Sequence, residues 1–168
     1  MNCSLPRLAL PLILATLAGT AHADGLRLGG AAGSSDYGTA LKAQLNQGFK
    51  LSMLPGTWRW EAQVTSFGSE RYQQFANTYK RSAWAVGASA LPEMALTPTL
   101  AAYGKLGLHH LHSEASGPGL STSVNKIRFG YGAGLRWQVL PKLGLRLEAE
   151  NIGGSGGDLL TVGAEVPL

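Results

Sequence analysis

The sequence has 168 residues with a formal net charge of +4, and only 14% of its residues are charged. This length suits one domain, and the weak positive charge does not imply a nucleic-acid partner. Glycine is abundant, with 23 residues, and the 8 prolines are spread along the chain, which favours strands and turns over helices. The only cysteine, Cys3, lies in an N-terminal segment that we expect to be removed, so the mature chain would have no disulfide and no thiol chemistry.

The N-terminal segment has the three parts of a secretory signal peptide. Arg7 supplies a positive charge, a largely apolar run extends over Leu8–Leu17, and Ala21-His22-Ala23 is a small-x-small cleavage site. A membrane anchor is the alternative, but the apolar run is shorter than the roughly 20 residues that a spanning helix needs. We therefore predict a signal peptide over residues 1–23 and one exported domain over residues 24–168.

After this segment, apolar and polar residues alternate along the chain, which indicates β-strands with two different faces. The pattern is clearest between Lys126 and Val139, where every second residue is apolar and the others are glycine or polar. The eight predicted strands lie at Leu26–Leu28, Leu41–Leu51, Trp58–Thr65, Trp84–Ala90, Leu100–His109, Lys126–Val139, Leu143–Glu150 and Leu160–Val166.

The connections between these strands alternate in kind. Short turns are predicted at Met53–Thr57, Leu91–Thr97 and Leu140–Lys142. Long polar loops are predicted at Gly68–Lys80 and His112–Asn125, with shorter loops at Gly33–Gly38 and Gly153–Asp158. This order puts all turns at one end of an up-and-down barrel and all loops at the other, as in transmembrane barrels with short periplasmic turns.

Alternation alone does not decide which face is inside, because a soluble lipocalin-like barrel in the periplasm also alternates. The polar face here is rich in glycine and carries opposite charges, such as Arg146 and Glu148, which suits a narrow interior. The apolar face carries tryptophans near strand ends, as an interfacial aromatic girdle does, at Trp58, Trp60, Trp84 and Trp137. We therefore predict the membrane arrangement, with side chains filling the lumen and no open pore.

Four segments carry motifs of one known family. They are Ala102–Gly107, Phe129–Trp137, Leu145–Glu150 and Asp158–Gly163. With these motifs the chain resembles OmpA-like outer-membrane β-barrels. The resemblance implies an all-β fold, namely an eight-stranded antiparallel up-and-down transmembrane β-barrel in the cell envelope. It also implies insertion into the Gram-negative outer membrane by the outer-membrane assembly machinery.

The resemblance further implies a salt-bridge cluster inside the barrel, and Glu61, Arg146 and Glu148 match its members. The sequence departs from the family at Arg136, where a carboxylate is common, which makes this lumen more basic. Buried ions need partners of opposite charge, so we expect one connected polar network. The predicted members of this lumenal network are Arg59, Glu61, Lys105, Arg136, Arg146, Glu148 and Glu150.

Three other groups of residues suggest metal binding, catalysis or phosphate binding. His109, His110 and His112 resemble part of a metal site, but no acid or cysteine completes the ligand set, so we predict no metal and no cofactor. His112 beside Ser113 suggests a lipid A hydrolase, but neighbouring residues of a strand point to opposite faces, so we predict no catalytic residues. Arg81, Lys126 and Arg128 lie near the predicted loops, where arginine suits the phosphates of lipopolysaccharide.

These patterns together predict an integral outer-membrane barrel that is not an enzyme, with a structural, envelope-integrity or surface-interaction role. Its expected partners are outer-membrane lipid, lipopolysaccharide and the assembly machinery, and we expect a monomer. A membrane-embedded lipid A hydrolase and a soluble periplasmic lipocalin-like binding barrel are the alternatives.

Overall fold

The computed structural model describes residues 25–49, 57–74, 77–153 and 157–168. Eight antiparallel strands pair in chain order, and β1 also pairs with β8, so that the sheet closes into a barrel. The strands are β1 (Arg27–Ser35), β2 (Gly38–Phe49), β3 (Thr57–Gln74), β4 (Asn77–Ala95), β5 (Leu100–Gly117), β6 (Leu120–Leu140), β7 (Leu143–Ile152) and β8 (Asp158–Pro167). The predicted fold class is confirmed, and the predicted signal peptide lies outside the described residues.

The polarity of the barrel wall follows the alternation in the sequence. Phe129 is 56% exposed on the outer face, whereas Lys105 is 1% exposed inside. The outer face is apolar along the strands, with exposed side chains at Leu106, Leu108, Ile127, Phe129, Leu135, Leu145, Leu147 and Val162. The alternative of a soluble barrel is wrong, because that fold requires the apolar rows inside. Among the described residues, no helix is long and apolar enough to cross a bilayer.

One end of the barrel carries short turns and both ends of the described chain. Residues 96–99 join β4 to β5, residues 141–142 join β6 to β7, and the amide of Leu168 donates to the carbonyl of Leu26 at 2.9 Å. The predicted turn Met53–Thr57 lies almost wholly outside the described residues, which resume at Thr57. We refer to this end as the turn end.

At the opposite end, which we call the hairpin end, the structure differs from the sequence-based prediction. The segments predicted as long polar loops, Gly68–Lys80 and His112–Asn125, are mostly strand. β3 and β4 pair as far as Gln74 with Asn77, and β5 and β6 as far as Gly117 with Leu120. These hairpins leave the bilayer, so both of their faces meet water, and the apolar alternation on which the strand prediction rested disappears.

The two hairpins form one protruding sheet, which comprises residues 68–74, 77–83, 111–117 and 120–126. Lys80 pairs with Ser116 across the junction between the hairpins. β2 does not extend beside the end of β3, and β7 pairs with β6 only from Gly130 onward. Seven residues of strand measure about 23 Å, so the sheet extends well beyond the barrel rim.

A β-bulge at Phe67 marks the base of this sheet. Ser66 pairs with Trp84 and Gly68 with Ala83, which leaves Phe67 as the extra residue. The bulge is possible because Gly68 has a φ of 89°, in the left-handed region where a side chain is strained. The buried ring of Phe67 points into the barrel, so the bulge also contributes to the lumen packing.

Candidate functional site in the barrel lumen

The lumen is filled in three layers along the barrel axis. The layer at the hairpin end is an apolar plug, formed by Tyr37, Ala40, Phe67, Ala83, Ala85, Ile152 and Leu159. The rings of Tyr37 and Phe67 meet edge to face, with centroids 6.1 Å apart. The plug excludes water from the layer below it, in which the polar rows of β2, β3, β5 and β7 converge.

The second layer is a central ion cluster, and Lys105 lies at its middle. Its Nζ is 2.7 Å from Oε1 of Glu61, 3.1 Å from Oε1 of Glu148 and 3.0 Å from Oε2 of Glu150. It also donates a hydrogen bond to Gln63. One ammonium group from β5 therefore joins three carboxylates from β3 and β7.

Two further cations complete the central ion cluster. Lys42 of β2 pairs with Glu148, and its Nζ is 3.1 Å from Oε2 of Glu150. Arg146 of β7 donates from Nη1 to Oε2 of Glu61 at 2.5 Å and from Nη2 to Oε2 of Glu148 at 2.6 Å. Because all of these side chains are buried, each charge needs its partners, and three cations face three carboxylates.

Tyr103 contacts Arg146 through both its ring and its hydroxyl group. The guanidinium carbon lies 4.8 Å from the ring centroid, and the phenol accepts from Nη2 of Arg146 at 2.8 Å while it donates to Oε2 of Glu148 at 2.7 Å. The ring lies against Gly134 of β6, where a Cβ would clash with the phenol and lie 2.7 Å from the carbonyl oxygen of Leu147. The glycines on the polar face of β6 thus leave room for long side chains opposite.

The third layer, which we call the turn-end layer, contains three arginines and two glutamates. Nε of Arg59 donates to Oε2 of Glu93 at 3.0 Å, and Arg136 pairs with the other oxygen of Glu93. Oε1 of Glu165 lies 3.5 Å from Nη1 of Arg27 and 3.8 Å from Nε of Arg136. Unlike the central cluster, this layer has one more cation than carboxylates within the described ranges.

The structure distributes the predicted lumenal network over these two layers. Glu61, Lys105, Arg146, Glu148 and Glu150 meet in the central ion cluster, while Arg59 and Arg136 meet across Glu93 in the turn-end layer. The sequence-based prediction missed the partners Lys42, Gln63, Glu93, Tyr103 and Glu165. Most of them stand on predicted polar rows, so strand parity could have placed them inside. It could not have said which strands face each other across the lumen.

The three residues predicted to contact lipopolysaccharide differ in exposure. Arg81 and Lys126 are exposed on the protruding sheet, and Nη2 of Arg81 lies 3.3 Å from the hydroxyl of Tyr37. Arg128 is half-buried, and its Nε is buried without a hydrogen-bond partner. All three belong to rows that continue the lumen-facing side of β4 and β6.

The histidines do not converge. His109 points into the lumen, 3.6 Å from Oε1 of Glu150, whereas His112 lies on the outer face. There its Nε2 is 2.9 Å from Oε1 of Glu114 and its Nδ1 is 2.7 Å from Oδ1 of Asn125. Within the described ranges, no group of three or more histidine, cysteine, aspartate or glutamate side chains is placed to hold a metal ion.

Comparison with known proteins gives one family match and several structural likenesses. The chain matches the family described as outer membrane protein beta-barrel domain over residues 8–162. The N-terminal β-barrel domain of Pseudomonas aeruginosa OprF has a TM-score of 0.61 at 12% identity, covering 86% of this chain and 97% of that chain. Neisserial surface protein A has a TM-score of 0.57 at 17% identity, covering 87% of this chain and 99% of that chain.

A third likeness is to Ail of Yersinia pestis in complex with the heparin analogue sucrose octasulfate. Its TM-score is 0.53 at 17% identity, covering 86% of this chain and 97% of that chain. At these identities the likenesses show the fold alone, and a comparison with curated protein sequences finds no match. The family match, in contrast, spans most of the sequence. The resemblance to OmpA-like barrels is thereby confirmed, and the chain belongs to the outer-membrane protein β-barrel domain family of the Gram-negative outer membrane.

Proposed function

We propose that the barrel is a closed anchor that presents the protruding sheet at the cell surface for contact with anionic saccharides, the phosphates of lipopolysaccharide in particular. The observation that carries this proposal is the exposure of Arg81 and Lys126 on the lumen-side face of that sheet. The filled lumen supports an anchor rather than a channel. Short turns face the periplasm in such barrels, so the hairpin end faces outward.

The charge of the protruding sheet supports an anionic partner. Its residues include four basic side chains, those of Arg71, Lys80, Arg81 and Lys126. The acidic side chains in the same segments are those of Glu70 and Glu114. The two faces of the sheet share these charges, because Arg71 pairs opposite Lys80 on one face and Glu70 opposite Arg81 on the other. Arginine forms paired hydrogen bonds with phosphate and sulfate oxygens, so the exposed Arg81 suits both groups.

The structure of Ail with sucrose octasulfate offers a parallel. Its ligand is a heparin analogue, which is a sugar dense in negative charge. That complex concerns Ail, and here it suggests only the chemical class of the partner. Arg128 is the weakest of the three predicted contacts, because its half-buried side chain lies at the base of the sheet.

The test is binding of purified lipopolysaccharide and of sucrose octasulfate to the protein refolded in detergent. We expect the double variant Arg81→Gln/Lys126→Gln to bind about tenfold more weakly at low salt, because it loses two charge-assisted contacts. Lys142→Gln is the control, since it removes one exposed charge at the turn end. Unchanged affinity of the double variant for both probes would contradict the proposal.

Export and assembly belong to the same proposal. Residues 1–23 direct secretion as a signal peptide, and residues 24–168 reach the membrane as a monomer through the outer-membrane assembly machinery. The proposed role involves no catalysis. The lipid A hydrolase gains no support, because Glu114 and Asn125 already engage the two ring nitrogens of His112.

A further inference from the structure

Among the residues that the structure describes, the turn-end layer has one more positive side chain than negative side chains. Arg27, Arg59 and Arg136 share the carboxylates of Glu93 and Glu165, whereas the central ion cluster has equal numbers of both signs. Glu165 also forms an ion pair with the central ion cluster, because its Oε2 lies 3.8 Å from Nη1 of Arg146. Over both layers together, six cations face five carboxylates among the described residues.

The register of the strands adds electrostatic repulsion between positive side chains. Arg136 of β6 stands directly opposite Arg146 of β7, with both side chains turned inward. Like charges in directly opposite positions destabilise a sheet. Arg59 shares the carboxylate of Glu93 with Arg136, and Arg27 shares that of Glu165 with Arg136.

Several polar atoms of the turn-end layer lack hydrogen-bond partners. Nη1 of Arg59 is a buried donor of this kind, and Oδ1 of Asn46 is a buried acceptor of this kind. Nη1 of Arg27 and Oε1 of Glu165 also have no hydrogen bond, although they form an ion pair with each other at 3.5 Å. A buried polar group without a hydrogen bond costs free energy, so a ligand that supplied both acceptors and a donor would stabilise this layer.

The layer is also within reach of the periplasm. The side chains of Arg27, Arg59, Glu93 and Arg136 are 17%, 12%, 11% and 11% exposed. The central cations, in contrast, are at most 4% exposed. A small ion can therefore reach the turn-end layer without crossing the central cluster.

We propose that the turn-end layer binds inorganic phosphate between Arg27, Arg59 and Arg136 at the periplasmic mouth of the barrel. The phosphate oxygens accept from guanidinium N–H groups of these arginines, Nη1 of Arg59 among them, and the negative charge offsets the excess of arginine. Inorganic phosphate keeps a hydroxyl at neutral pH, and this hydroxyl donates to Oδ1 of Asn46. Sulfate, which has the same shape, has no proton at that pH and leaves this acceptor unfilled.

The test is a titration of the detergent-refolded protein with inorganic phosphate at constant ionic strength, followed by the linewidth of the phosphate 31P NMR signal. We expect saturable broadening, and we expect sulfate to compete less well than phosphate and chloride not at all. Arg59→Gln should weaken phosphate binding about tenfold, because a free charged donor is lost. A phosphate monoester is mostly a dianion without a hydroxyl at neutral pH, so it should compete no better than sulfate does. Competition as strong as that of inorganic phosphate would overturn the proposal.

Two further variants keep the test decisive. Lys142→Gln removes an exposed charge at the same end, outside the lumen, and should bind phosphate like the wild-type protein. If Arg59→Gln does not fold, Arg59→Lys keeps the charge but loses the free Nη1 and should also bind more weakly. Equal broadening in the wild-type protein and the Arg59 variant, or sulfate binding as tight as phosphate binding, would overturn the proposal.

Discussion

The embedded barrel and the protruding sheet are built from the same strands, yet they follow different rules. Within the bilayer, each strand separates hydrocarbon from a packed ionic interior, and every second side chain is buried for that reason. Beyond the rim, β3, β4, β5 and β6 continue with water on both sides, and most of their side chains are exposed. Alternation of apolar and polar residues therefore indicates that the two faces of a strand lie in different environments. A segment without alternation can still be a strand, with the same environment on both faces.

The same comparison predicts where substitutions matter. A charge inside the barrel is compensated by neighbours that cannot move into water, so its loss leaves an unpaired buried ion. A charge on the protruding sheet is solvated and screened, so its loss costs little. The following predictions test this contrast, from the largest expected effect to the smallest.

Lys105→Met should have the largest effect. It leaves Glu61, Glu148 and Glu150 in a buried layer with only two of three cations. We expect a loss of about 3–5 kcal/mol in the free energy of unfolding, as for other broken buried ion pairs. Urea unfolding in phospholipid vesicles, followed by tryptophan fluorescence, measures it.

The control for this variant is Lys126→Met, which removes the same charge from an exposed site on the protruding sheet. It should change the free energy of unfolding by less than about 0.5 kcal/mol. The double variant Lys105→Met/Glu61→Gln should lose less than the sum of its two single variants, because it restores the charge balance. Similar losses for Lys105→Met and Lys126→Met would refute the contrast between interior and surface.

Gly134→Ala should have an intermediate effect. The added methyl group would meet the ring of Tyr103 and lie 2.7 Å from the carbonyl oxygen of Leu147. We expect a loss of about 1–3 kcal/mol, as for overpacked cores, in the same urea titration. Gly104→Ala is the matched control on the outer face, where the nearest atom to the new methyl would be Cγ of Pro92 at 3.6 Å. A Gly104→Ala variant as unstable as Gly134→Ala would show that strand propensity, and not lumen packing, sets the cost.

The substitution His112→Gln should have the smallest effect on the free energy of unfolding, and this effect should depend on pH. Its hydrogen bond to Glu114, and then that to Asn125, raise the pKa of His112 above its ordinary value. A raised pKa in the folded state means that the stabilisation is complete below the unfolded pKa of about 6.5 and is lost as the pH rises through the folded pKa. The amount should stay below about 1 kcal/mol, because the pair lies at the surface.

The measurement is the urea midpoint of the wild-type protein and of His112→Gln across this pH window. The difference between them should shrink as the pH rises. His110→Gln is the control, since the hydrogen bonds to Glu114 and Asn125 belong to His112. A difference that grows with pH would contradict the raised pKa of His112.

Much of the barrel could be predicted from the sequence because the bilayer imposes a strong two-residue period. This period separates the row of Phe129 from the row of Arg146. The glycines and opposite charges of the second row then assign it to the lumen, and the structure places it there. Two things could not be predicted in this way. The hairpins have no such period, and the contacts across the lumen, such as that between Lys42 and Glu148, depend on barrel closure.

One residue connects the two parts of the molecule. Phe67 is counted in β3 but has no partner in β4, and its ring fills the plug. This extra residue shifts the parity of β3. Below the bulge the odd-numbered residues of β3 face the lumen, and above it the even-numbered residues continue the same face. Tyr72 is one of them, and its ring stacks on that of Tyr79 with the centroids 5.4 Å apart. Only the β3 half of this hairpin is out of phase with the wall below, because β4 passes the bulge with its parity unchanged. The bulge thus absorbs one residue at the place where the sheet leaves the barrel.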